Sequence, residues 1–160
     1  MPNILVKIPR GAFPDAAQAQ LLRHITDAAA TVEQIPAVPA RRATIWVAIE
    51  QIDTGAFSCG GIDLTAQLLP CIALVHVPAG VLDDGSRALY VKLMHEAFER
   101  ALPVEDRRKL LTSVILHEVR DGTWGGSGII WTLPDFAMAA GYAHLQPNPV
   151  PLHADKPQPA

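Results

Sequence analysis

The chain is built from two copies of one pattern. Pro2 to Gly11 reads as proline, a run of apolar residues broken by Lys7, and then Pro9-Arg10-Gly11. Pro70 to Gly80 reads the same way, broken by His76 and closed by Pro78-Ala79-Gly80. Asp15 and Asp84 follow at matching positions, each before a stretch of helical period. Later, Asp53-Thr54-Gly55-Ala56-Phe57 with Gly60-Gly61 is echoed by Asp121-Gly122-Thr123-Trp124 with Gly125-Gly126. A repeat of this length means two copies of one supersecondary unit, each needing the other to cover its apolar face.

The unit can be read residue by residue. Residues 3–8 are branched and apolar, which predicts a strand. Pro9 to Pro14 is a turn, and Asp15 stands where a helix N-cap is expected. Leu21, Leu22, Ile25, Ala28, Ala29 and Val32 recur at helical spacing, predicting a helix over 16–33. Residues 43–52 form a second strand, apolar on both sides around Ile45-Trp46-Val47-Ala48-Ile49. Strand, helix, strand makes a βαβ unit with parallel strands and a right-handed crossover. The second copy places a helix over 85–101, burying Ala88, Val91, Met94, Ala97, Phe98 and Ala101. A helical turn is expected within 105–111, a strand over 112–119, a short strand over 128–132 and a short helix from Pro134. The repeats span 2–61 and 70–128 of one domain, 1–142. The Pro-rich segment 143–160 reads as a flexible tail. The fold class is α/β (α+β), a four-stranded mixed sheet with two helices on one face. The opposite sheet face, also apolar, then calls for an oligomer.

Composition narrows the function. With 49% hydrophobic residues, 18% charged and a net charge of −3, the chain is globular and unsuited to nucleic acid as its main partner. No run of about 18 apolar residues predicts a membrane helix. There is no apolar leader before a cleavage site, so the expected location is cytoplasmic. Cys59 and Cys71 match no metal spacing and are expected to be buried thiols. Neither Gly-Gly pair precedes a Gly-Lys-Ser/Thr, so no phosphate loop is present. No metal or cofactor is implied.

Pro2 carries the chemistry. Initiator methionine is normally removed before a small residue, which would leave a free prolyl secondary amine. An α-amine has an ordinary pKa of about 8, and burial or a nearby cation lowers it. Such an amine is a base or nucleophile near neutral pH. Pro70 holds the same repeat position but is an internal amide and cannot be basic. Arg10, Arg41, Arg42 and Arg120 sit at strand ends, where a guanidinium can hold a carboxylate or enolate. Phe57 and Trp124 occupy equivalent loops and serve as pocket walls or core. Lys7 and His76 line a pocket or face solvent. Glu50, His117 and Glu118 are candidates for orienting water or a carbonyl. Trp46 reads as filling a subunit core.

Pro2 at the head of a strand, the duplicated βαβ unit, the aromatic-plus-glycine loop and the length together resemble the tautomerase superfamily. Residues 2–61 resemble 4-oxalocrotonate tautomerase, whose loop ends in a similar aromatic-x-x-Gly-Gly, here Phe57-Ser58-Cys59-Gly60-Gly61. Pro9 to Asp15 resembles the corresponding turn of macrophage migration inhibitory factor. The resemblance implies a homotrimer with Pro2 as catalytic base and arginines holding a carboxylate of the substrate, which is read as a small enol or α-keto acid; the strand-end arginines named above are the candidates here. The family's diacid clamp is absent from its usual places. Its turn arginine falls at Ala12 and its strand-two arginine at Trp46, and the arginine pair that malonate semialdehyde decarboxylase carries after the first strand of its second half falls at Val77 and Ala79. That points to a monoacid or an aromatic enol. Two alternatives remain: Pro2-dependent hydration or dehalogenation of an unsaturated acid, and a non-catalytic trimeric binding protein.

Overall fold

The computed structural model describes residues 1–53 and 55–146. In chain order, β1 (Asn3–Pro9), α1 (Asp15–Val32), the single turn α2 (Pro39–Arg42) and β2 (Trp46–Ile52) form the first unit. β3 (Leu68–Pro78), α3 (Asp84–Ala101) and β4 (Lys109–Val119) form the second. A hairpin of β5 (Trp124–Gly126) and β6 (Ile129–Trp131), then α4 (Leu133–Ala140) and a 3-10 turn at Ala143–Leu145, follow. The start of the expected tail is instead tied to the domain, Ala143 N–H donating to the Gln34 carbonyl at 3.0 Å; its remainder, 147–160, lies outside the described residues.

The sheet order is β2-β1-β3-β4. Each unit keeps a parallel pair, and the two units meet along antiparallel β1 and β3. Asn3 stands opposite His76 and Lys7 opposite Ile72, as a two-fold repeat requires. The expected mixed sheet with two helices is therefore present. Alternation within the strands decides what is inside. Ile4, Val6 and Ile8 of β1 and Ala73, Val75 and Val77 of β3 point into the core under α1 and α3. Each large apolar side chain buried there contributes about 1.5–3 kcal/mol. The other face stays open, with Leu5 45% exposed, Trp46 62% and Ile115 51%.

Several local expectations are corrected. Residues 43–45 are a turn rather than strand, because Pro39 opens α2 at the helix position where a proline loses no hydrogen bond. Residues 109–111 are strand rather than helical turn, since Lys109 and Leu110 pair with Leu68 and Leu69. Asp15 is the first helical residue and caps nothing; its carboxylate sits in the first turn, where the helix dipole favours it. In the second unit the cap is Asp83, which accepts the Ser86 N–H at 2.7 Å. In α3 the buried positions are Tyr90, Met94, Ala97, Phe98 and Ala101, whereas Ala88 and Val91 are exposed. Cys71 is buried, while Cys59 is only half-buried in its loop.

Topology sets which residues meet. The start of β1 adjoins the start of β2, through Asn3 and Trp46, and the ends of β3 and β4, through His76 and His117. Everything that follows β4 therefore departs from the end of the sheet where Pro2 lies. The hairpin and α4 stay there: Trp124 and Trp131 pack on Phe136 at ring distances of 5.0 and 5.3 Å. Gly141 ends α4 in the left-handed conformation, with φ of 69°. Its missing side chain also leaves room for Arg41, whose Nε would lie 3.2 Å from a Cβ. The chain then turns inward at Tyr142, which is buried.

Candidate active site at the N-terminal end of the sheet

Pro2 is buried, and its carbonyl accepts the Trp46 N–H at 3.0 Å, fixing β1 against β2. The α-amine of Met1 lies inside the protein. It donates to the Tyr142 hydroxyl and stands 3.6 Å from Glu33 Oε2. Glu33 is fully buried, and its Oε1 accepts the Tyr90 hydroxyl at 2.9 Å. Around the chain terminus the fold thus gathers one amine, one carboxyl and two phenols.

Local structure explains how a glutamate comes to be there. Glu33 follows the last residue of α1. Gln34 takes a left-handed φ of 52°, and its N–H and that of Ile35 bond back to the carbonyls of Thr31 and Ala30. This closing turn ends the helix and holds Glu33 on its apolar stripe, four residues beyond Ala29. The position is electrostatically poor, because a carboxylate there faces the negative end of the helix dipole.

Burial dominates the protonation of the cluster. It pushes the Glu33 carboxyl up to about 7, against the opposing pull of the amine and the phenols. It pushes the amine down to about 6, against the opposing pull of Glu33. Both phenols are raised by burial and by Glu33, so they stay protonated. No guanidinium acts on either the amine or Glu33 among the described residues. Among those residues, only Asn3 Oδ1 and Glu33 Oε2 are buried side-chain oxygens without a hydrogen-bond partner. Buried polar atoms are nearly always paired. One of these two is on the residue next to Pro2 and the other faces the terminal amine.

Beside Pro2, on the open face, lies a cavity of about 440 Å³. Its walls include Asn3, Leu5, Trp46, His76, Thr123 and Trp124. His76 stacks near His117 at a ring distance of 5.2 Å. A larger cleft of about 530 Å³ near Gln67 and Arg108 is at the far end of the sheet, away from this chemistry.

The expected ligand-binding residues disperse. Arg10, paired with Asp53, and Phe57 lie beyond the end of β1, whose seven residues separate them from Pro2 by about 20 Å within one chain. Arg42 pairs with Asp27. Arg41 reaches the α4 end, donating to the carbonyls of Met138 and Ala139, the latter at 2.7 Å. Arg120 follows β4 at the Pro2 end and is exposed. Glu50 binds Lys7 at 2.7 Å and Glu118 binds Arg87 at 2.6 Å, so both carboxylates are engaged.

Sequence reading missed Glu33, Tyr90 and Tyr142. Two had signals. Glu33 continues the four-residue stripe Leu21, Ile25, Ala29, and Tyr90 begins the stripe Met94, Ala97, Ala101.

Solved structures of known proteins share this architecture. A wild-type fused 4-OT asymmetric trimer superposes with a TM-score of 0.64 at 15% identity, over 80% of this chain and 94% of that one. A symmetric fused 4-OT trimer gives 0.63 at 21% identity, over 86% and 98%. The macrophage migration inhibitory factor of Toxoplasma gondii gives 0.58 at 15% identity, over 81% and 99%. The chain has the tautomerase superfamily fold. No family model matches the sequence, and no curated protein matches it. Within the tautomerase fold the Glu33 cluster stands at the head of β1. No described helix is long and apolar enough to cross a membrane.

Proposed function

We propose that the protein is a tautomerase in which the amine of Pro2, exposed by loss of Met1, is the general base for keto–enol proton transfer on a small enol. The observation that supports this is the burial of the chain terminus. Burial favours the neutral amine, and the neutral amine is the form that accepts a proton. Pro2 nitrogen lies one residue nearer β1 than the present amine, within the same buried region. Pro2 would take the proton α to the carbonyl and return it at carbon or oxygen as the reaction runs in either direction. The working unit is read as a homotrimer in the cytoplasm. The exposed apolar sheet face supports the assembly, since two long helices cover only the other side. The fused 4-OT neighbours are trimers.

The hydratase alternative needs a carboxylate free to hold water, and both Glu50 and Glu118 are engaged in ion pairs. The binding-protein alternative is favoured only by a retained Met1. The reading is tested by ultraviolet-monitored ketonisation of a small aryl enol. The processed protein is expected to accelerate it, while a chain extended before Pro2 loses about 10²- to 10⁴-fold. Equal activity of the two forms would remove Pro2 from the mechanism.

A further inference from the structure

Glu33 is the one charged or polar residue in the buried core among the described residues, and half of its carboxyl has no hydrogen-bond partner. Stability alone does not account for it. Its position opposes the helix dipole, and the turn that holds it places a glutamine, Gln34, in a backbone conformation that favours glycine. Its free oxygen faces the Met1 amine at 3.6 Å.

Met1 itself packs against the core. Its removal would open a space bounded by Pro2, Glu33 and Tyr142. The segment after α4 closes this space from outside. Ala143 N–H donates to the Gln34 carbonyl at 3.0 Å, and His144 Nε2 lies 3.0 Å from the Val81 carbonyl. Arg41, which lies against Gly141, is spent on backbone carbonyls of α4.

We propose that this chamber binds a small uncharged carbonyl compound, with Glu33 and Tyr142 donating hydrogen bonds to its oxygen beside Pro2. The proposal rests on the Pro2 reading and narrows its substrate class. A carboxylate placed there would sit next to Glu33 with no guanidinium to balance it, and an uncompensated buried charge is strongly destabilising. An uncharged carbonyl adds no charge and supplies the acceptor that protonated Glu33 Oε2 lacks. A phenol and a protonated carboxylic acid together form a donor pair for a developing enolate.

The proton count closes. In enolisation, the Pro2 lone pair takes the α-hydrogen, the C–H electrons form the C=C bond, and the carbonyl oxygen takes the Glu33 proton. The site is left as prolinium and carboxylate. Transfer of the proton from Pro2 to Glu33 restores the start. The reverse reaction uses the prolinium–carboxylate form, and the pair is neutral overall in both.

The test is calorimetric binding of two probes, methyl phenylpyruvate and phenylpyruvate, to protein that begins at Pro2. The ester is expected to bind at least tenfold more tightly than the anion. Glu33→Gln, which keeps the shape and a hydrogen-bond donor but has no proton to transfer, should leave phenylpyruvate excluded and lower kcat on the ester by about 10²-fold or more. Tyr142→Phe, a second variant with an intact carboxyl, should weaken ester binding and leave the anion excluded. Equal or tighter binding of phenylpyruvate by the wild type overturns the proposal, as does binding of neither probe or an unchanged kcat on the ester in Glu33→Gln. Selective ester binding without turnover supports the chamber and sinks the Pro2 base instead.

Discussion

Replacing Glu33 with glutamine should stabilise the protein at pH 8 and change little at pH 5. Burial raises the carboxyl from its ordinary 4.5 to about 7, so the folded state holds this proton more tightly than the unfolded chain does. A group of this kind contributes stability that is complete below pH 4.5. That stability is lost as pH climbs through about 7. The span corresponds to about 3 kcal/mol at about 1.4 kcal/mol per tenfold change in affinity. The amine acts with the opposite sign. Its fall from 8.0 to about 6 means stability is regained as pH rises across that interval. Wild type should therefore lose stability from pH 4.5 towards 7 and recover part of it by pH 8. Glutamine removes the first effect and leaves the second to the amine. Because burial, rather than the amine, is the largest cause at Glu33, the direction holds after Met1 is lost. Urea unfolding at fixed protein concentration, at pH 5 and pH 8, measures the difference. The variant should gain about 2–3 kcal/mol on wild type between the two pH values. A variant that loses about 3–5 kcal/mol at pH 8, the cost of breaking a buried ion pair, would show that the carboxylate is held charged and refute the reasoning.

Gln34→Gly should stabilise the fold by about 1 kcal/mol, because glycine adopts the left-handed turn after α1 without strain; an unchanged or lower urea midpoint contradicts this. Trp46→Lys should convert trimers to smaller species in light scattering, since it places a charge on the open apolar face; a stable wild-type monomer over a broad dilution range would contradict the assembly itself. Phe136→Ala should destabilise by about 3–5 kcal/mol and release Trp124 and Trp131 from their shared contact, seen as a shift in tryptophan fluorescence. An unshifted spectrum with wild-type stability would show that α4 is not fastened through that ring.

Much of the architecture was legible because it is written twice. The paired Pro-x-Gly turns and the matching aspartates set the two units, and strands apolar on both sides announced a face needing cover. Boundaries were less legible. Ala43, Thr44 and Ile45 include β-branched side chains suited to a strand, yet Pro39 starts a helical turn that reaches Arg42 and delays β2 to Trp46. Pro2 could be named from sequence because its chemistry depends on a chain terminus. The residues around it were harder to place. A glutamate at a helix end ordinarily points to water, and only the turn at Gln34 keeps Glu33 inside. Tyr142 meets the amine from 141 residues away, through a path set by the hairpin and α4. The arginines do not gather within one chain, because strand-end position does not say which end. Arg10 and Arg120 close strands that run in opposite directions, and within one chain they finish at opposite ends of the sheet.

The central claim, a free prolyl amine acting as base, is tested most directly by mapping where a small uncharged alkynone adds to the purified protein. Intact-mass and fragment-mass spectrometry after brief exposure reads both the first residue of the chain and the position of the adduct. The account predicts chains that begin at Pro2 and carry one adduct on the prolyl nitrogen, formed faster as pH rises through the lowered pKa of the amine. Met1 retained on most chains, or an adduct elsewhere with Pro2 untouched, would contradict it.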